Sequence, residues 1–165
     1  MLVRVSYLEL RAAPAAPAER AGAERIALER LNRTDYLRLY QQVGAPVRWD
    51  QRLQMPAPEL ERLLESERLH LYLLRSAAGE AIGLCEFDRG EFPDAELKNF
   101  GVVPAAQGRG LGQWLLSVAL SAEWCSGATR IWLHTDSWDH PAAIPLYQRV
   151  GFSVYAVRDE PAGPL

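Results

Sequence analysis

Cysteine is scarce in this chain, and the two present, Cys85 and Cys125, lie inside apolar segments with no CxxC pair and no histidine at metal-ligand spacing. That excludes a disulfide framework and argues against redox or metal duty, so both are expected to be buried structural thiols and no metal is expected. A basic excess is also missing: 18 Lys and Arg stand against 21 Asp and Glu, a formal charge of -3. A broad electrostatic grip on nucleic acid or an anionic membrane is therefore not expected, although a local basic pocket remains open. No apolar run approaches the roughly 18 residues of a membrane span. The opening "MLVRVSYLELRAAPAAPAER" lacks a basic segment followed by an unbroken apolar one, so the expected location is cytoplasmic.

What is there reads as one soluble domain over residues 1–165, long enough to bury a core without disulfides. Residues 2–10 carry β-branched and aromatic residues in partial alternation and predict a strand. "AAPAAPAERAG" is a low-complexity connection. From 24 to 43, Leu28, Leu31, Tyr36, Leu39, Tyr40 and Val43 recur at helical spacing before Gly44, and a second helix fits 58–67. Strands are expected at 69–76 and 81–89 as a hairpin, then at 95–103, stopped by Pro104. A helix follows, with Leu111, Leu115, Val118, Ala122 and Cys125 on one buried stripe. A strand at 129–135, a helix at 141–150 and a strand at 151–159 complete the order. Hairpins beside a crossover predict an α/β fold with a mixed sheet flanked by helices.

The informative stretch is "QGRGLG", residues 107–112, at the end of one strand and the start of a helix. Alternate glycines let a backbone approach an anion, and a helix N-terminus favours negative charge. A nucleoside-triphosphate loop needs Lys and then Ser or Thr, whereas Gly112 precedes Gln113 and Trp114; a dinucleotide fingerprint finds Gln113 where its third glycine belongs. An ordinary tight turn remains the alternative. The stretch matches Q-x-x-G-x-G, and "HPAAIPLYQRVGF" matches N-x-x-A-x-x-L-Y-x-x-x-G-F at Ala143, Leu146, Tyr147, Gly151 and Phe152, with His140 in place of Asn. On these two motifs and the element order, the chain resembles the GNAT superfamily of acyl-CoA-dependent N-acyltransferases.

The resemblance implies a mostly antiparallel sheet with one splayed parallel strand pair, 95–103 and 129–135, and acetyl-CoA as co-substrate between them. It implies diphosphate contacts from Gln107, Gly108, Arg109, Gly110, Leu111, Gly112 and Gln113. Phe100, Val102 and Val103 would line the pantetheine path, Gly101 would give it room, and His140 would stand where the family's Asn meets the coenzyme. The backbone N–H of Phe100 would meet the oxyanion, and Tyr147 would protonate the departing thiolate. An alkyl ammonium has a pKa of about 10.4, so a base must first free the amine. Glu96 is the lead candidate, the alternative being a solvated strand-end carboxylate; Glu86 and His134 stand behind it. The acceptor side falls on "QQVGAPVRWDQRLQ", where Trp49, Asp50 and Arg52, with His134 opposite, are candidates to hold a polar amine, or else form an ordinary exposed loop. The acceptor is expected to be a small-molecule or peptide amine, with no nucleic-acid or membrane partner, and a homodimer is conceivable.

Overall fold

Leu111, Leu115, Leu116, Ala119 and Leu120 are all fully buried, and the helix that carries them, α4 (Leu111–Cys125), lies along one face of a seven-stranded sheet. The computed structural model describes residues 1–162. In chain order, β1 (Leu2–Leu10) and β2 (Arg25–Leu28) precede α1 (Arg33–Gly44), α2 (Gln51–Gln54) and α3 (Ala57–Glu65). Next come β3 (Leu69–Arg75), β4 (Ala81–Asp88), β5 (Asp94–Val102), α4, β6 (Arg130–Asp136), α5 (Ala143–Arg149) and β7 (Ser153–Pro161). Side chains alternate across a strand, so the unbroken apolar run of β3 supplies both faces. Tyr72 and Leu74 join the core under α4, while Leu71 and Leu73 join Tyr36, Leu39, Tyr40 and Leu60 under α1 and α3.

The strand order is β2-β3-β4-β5-β6-β1-β7. Among the described residues only β5 and β6 run parallel, and they pair over three residues alone, from Asp94 opposite Arg130 to Glu96 opposite Trp132. Beyond Glu96 the two strands part. On its other side β5 keeps pairing with β4, with one irregularity: Phe87 faces Leu97 but Glu86 faces Asn99, which makes Lys98 the extra residue of a bulge. A bulge bends its strand and re-aims side chains, here at the point where the sheet opens.

Three expectations need correction. The helix expected over 24–43 is split: Arg25–Leu28 forms an edge strand on β3, and the helix starts only at Arg33. The Asn32 side chain decides this by accepting the Asp35 backbone N–H at 2.8 Å, an N-terminal cap that a continuous helix would have no use for. Leu28, counted in the helical stripe, is 53% exposed. The stripe on α4 is also rotated. Leu116, Ala119, Leu120 and Glu123 are buried, whereas Cys125, expected to be buried, lies off this stripe and is exposed. The short α2 was not foreseen, since four residues are too few to show a period.

Candidate active site

The parting of β5 and β6 opens a cleft of about 250 Å³. Lys98, Asn99 and Phe100 form one wall, His134 to Asp136 with Trp138 and Asp139 the opposite one, and Trp49, Asp50 and Tyr147 also face it. β1, antiparallel to β6, adds Val3 and Val5. Phe100 and Tyr147 sit with ring centroids 6.1 Å apart, and Phe152 backs Tyr147 at 5.8 Å. Tyr147 is 5% exposed, and burial, with the Asp139 carboxylate adding to it, pushes its pKa well above the usual phenol value. It is therefore a protonated phenol at any working pH, in the state that donates. Val102 is buried and Val103 half-buried at the strand's end. Gly101 serves another neighbour than expected: a Cβ there would stand 2.6 Å from Val43 Cγ1, so glycine lets β5 press against α1.

Gln107 to Gly110 carry the chain from β5 into α4. Gly108 and Gly110 adopt φ of +78° and +74°, left-handed backbone that other residues rarely take. The surrounding space is open, since a Cβ on Gly108 meets nothing within 4 Å and one on Gly112 meets only Phe100 Cζ at 3.8 Å, so it is the backbone conformation of Gly108 and Gly110 that calls for glycine. The loop is thus an open concave backbone leading to a helix with no side-chain cap, whose first amides, from Leu111, Gly112 and Gln113, are left for an anion. The residues present fit a diphosphate. Arg109 is tied at 2.6 Å to Glu24. His140 is exposed, and its Nδ1 accepts the Ala142 backbone N–H at 3.0 Å, which secures the entry to α5.

The candidate bases differ sharply. Glu96 is half-buried where β5 and β6 still pair, with Lys98 Nζ and His134 Nε2 each 3.6 Å from Oε1. Both neighbours line the cleft, whereas Glu96 itself lies outside its lining. Glu86 is fully buried and fully engaged: Arg52 Nη2 donates to Oε2 at 2.5 Å, Asn99 Nδ2 to the same oxygen at 3.2 Å, and the Tyr36 hydroxyl to Oε1. Burial alone would lower the pKa of Arg52, but Glu86 and Tyr36 outweigh it and raise it. Arg52 therefore turns into the protein and not into the cleft, pinning α2 to the sheet. Trp49 packs on Tyr40 at 5.3 Å, and Asp50, on the cleft, accepts from Gln54 at 3.0 Å. Sequence reasoning missed Tyr36 and Asn99, whose roles come from contacts between distant residues. It also missed Arg48, which reaches over the Trp138 ring at 5.1 Å, and whose φ of +62° no sequence pattern announces. Among the described residues no group of three or more His, Cys, Asp or Glu is placed to hold a metal, and no helix is long and apolar enough to cross a membrane.

The splayed parallel pair, the bulge and the glycine loop define an acyltransferase scaffold, and the comparisons agree. Residues 26–152 match the model of the Acetyltransferase (GNAT) family, and the chain belongs to that family. Curated relatives include the mycothiol acetyltransferase of Gordonia bronchialis, 42% identical over 57 residues, and that of Mycobacterium leprae, 39% identical over 67. Those stretches cover 34% and 38% of this chain but only 18% and 21% of the relatives. A GCN5-related N-acetyltransferase from Sphaerobacter thermophilus superposes with a TM-score of 0.70 at 17% identity, over 96% of this chain and 50% of that one. The ribosomal-protein-S18-alanine N-acetyltransferase of Escherichia coli superposes with a TM-score of 0.62 at 21% identity, over 78% of this chain and 76% of that one. At these identities the structural likeness speaks for the fold.

Proposed function

We propose that this protein is an N-acetyltransferase that passes the acetyl group of acetyl-CoA to a primary amine by direct attack in a ternary complex. The observation that carries the reading is the parting of β5 from β6 just beyond Glu96, which opens a cleft lined by Phe100, His134 and Tyr147. The coenzyme supplies an activated acetyl thioester. The loop amides from Gly108 to Gln113 hold its diphosphate, with Val102 and Val103 along its pantetheine arm. Trp49 and Asp50 receive the acceptor, where the Asp50 carboxylate steers an ammonium. Glu96 draws the proton from that ammonium, with His134 between it and the cleft as a relay. The Phe100 N–H, just past the bulge, meets the charge that develops on the acyl oxygen. Tyr147 gives its proton to the departing sulfur.

The test is coenzyme A release across a broad panel of amines, paired with calorimetric titration of coenzyme A. Turnover with at least one amine supports the reading. Tight binding with no turnover on any amine would instead mark a coenzyme-binding domain without catalysis, and absence of binding would remove both.

A further inference from the structure

The family match begins at residue 26, so the alanine and proline rich arm between β1 and β2 lies outside it. That arm nevertheless lies over the glycine loop. Pro14, Ala16 and Arg20 wall one side of a cavity of about 390 Å³, with Gly110 and Trp114 at the start of α4 and Arg149 at the end of α5 on the others. Arg20 Nη2 donates to the Arg109 carbonyl at 3.1 Å, and its Nη1 is the nearest atom, at 3.6 Å, to where a Cβ on Gly110 would stand. Its guanidinium lies 5.8 Å over the Trp114 ring. Its Nε is buried with no hydrogen-bond partner, and Arg20 has no ion pair among the described residues. Glu24 bonds Arg109 instead.

Arg20 is half-buried, with one hydrogen bond and its Nε unpartnered, and guanidinium matches phosphate geometry. With Arg149 across the cavity and Glu19 as the one acid in its lining, the wall carries a net positive charge, while Glu24 nearby is taken up by Arg109. Half-buried Pro14 and Pro17 stiffen the arm, so presenting Arg20 costs little ordering on binding. We infer that residues 12–24 form an additional wall of the coenzyme site and that Arg20 binds a phosphate of the coenzyme. This rests on the coenzyme-binding reading above.

The experiment is calorimetric titration of the whole chain with coenzyme A and with 3′-dephospho-coenzyme A. Arg20→Ala is expected to weaken coenzyme A binding by about 10-fold or more, and Arg20→Lys to restore part of it. A penalty equal for both ligands assigns Arg20 to the diphosphate; a penalty confined to coenzyme A assigns it to the 3′-phosphate. Either result supports the inference. Unchanged affinity of Arg20→Ala for both ligands overturns it while leaving the proposed function standing. Failure of the wild-type chain to bind either ligand overturns the two together.

Discussion

Glu86 and Glu123 are both fully buried, one toward each face of the same sheet, yet the two sites are built differently. Toward α1 and α2, each oxygen of Glu86 is bonded, and an arginine supplies the countercharge. Toward the opposite face, Glu123 of α4 gathers His70 and Tyr72 on one oxygen, with Tyr72 donating at 2.8 Å. Its other oxygen has only Arg89 Nε at 3.4 Å, without a hydrogen bond to it. Saturation goes with the place where it matters. The Glu86 cluster joins α2, next to the acceptor wall, to the bulge that turns β5 out of the sheet; the Glu123 cluster ties α4 to β3, away from the cleft. The half-buried Glu96 differs from both, with Lys98 Nζ and His134 Nε2 each standing off at 3.6 Å.

The sharpest test of the contrast removes the Glu86 countercharge. Arg52→Ala leaves a buried carboxylate unpaired and is expected to cost about 3–5 kcal/mol in urea unfolding. It should also raise KM for the acceptor more than it lowers kcat, because α2 loses its anchor.

Catalytic effects come next. Glu96→Gln is expected to slow acetyl transfer about 10²-fold near neutral pH, about 2.7 kcal/mol in barrier height. Rising pH should restore part of that rate as the amine deprotonates unaided toward its own pKa of about 10.4. Tyr147→Phe, which keeps the packing and removes the donor, should slow turnover by a similar order with no recovery at high pH. An unchanged rate for Glu96→Gln would transfer the base role to His134 or solvent.

On the other face, Glu123→Gln is expected to cost about 1–3 kcal/mol with turnover unchanged, since it disturbs two hydrogen bonds and one loose ion pair. A penalty larger than that of Arg52→Ala would reverse the comparison. The smallest effect belongs to the surface pair Arg68–Asp88, where Arg68 is 59% exposed and Nε sits 2.7 Å from the carboxylate. Asp88→Asn should cost under about 1 kcal/mol. The Arg68 hydrogen bond holds the Asp88 pKa below its ordinary value, so this stabilisation is present above the unfolded pKa. It is lost as pH falls through the lower folded one, and a series of unfolding curves in acid would show it.

Strands β3 to β6 and helix α4 were legible because each is long enough to display its period, and the glycine loop because its spacing is unusual. The break at Asn32 was hidden, since Leu28 continues the helical spacing and only pairing with β3 holds residues 25–28 extended. Likewise Arg52 read either as an acceptor ligand or as a solvated loop charge, whereas its contact with Glu86 spans 34 residues of sequence.

Local chemistry settled what depends on neighbours along the chain: the elements, the loop that suits an anion, the helix segment carrying Tyr147 and the family itself. Tertiary structure decided what depends on distant strands meeting. It set β1 between β6 and β7, limited the β5–β6 pairing to three residues, and sorted three glutamates into two buried anchors and one half-buried group. A carboxylate's availability is fixed by the donors that surround it in space, and those came from α1, α2, β3 and β5, which sequence spacing cannot bring together.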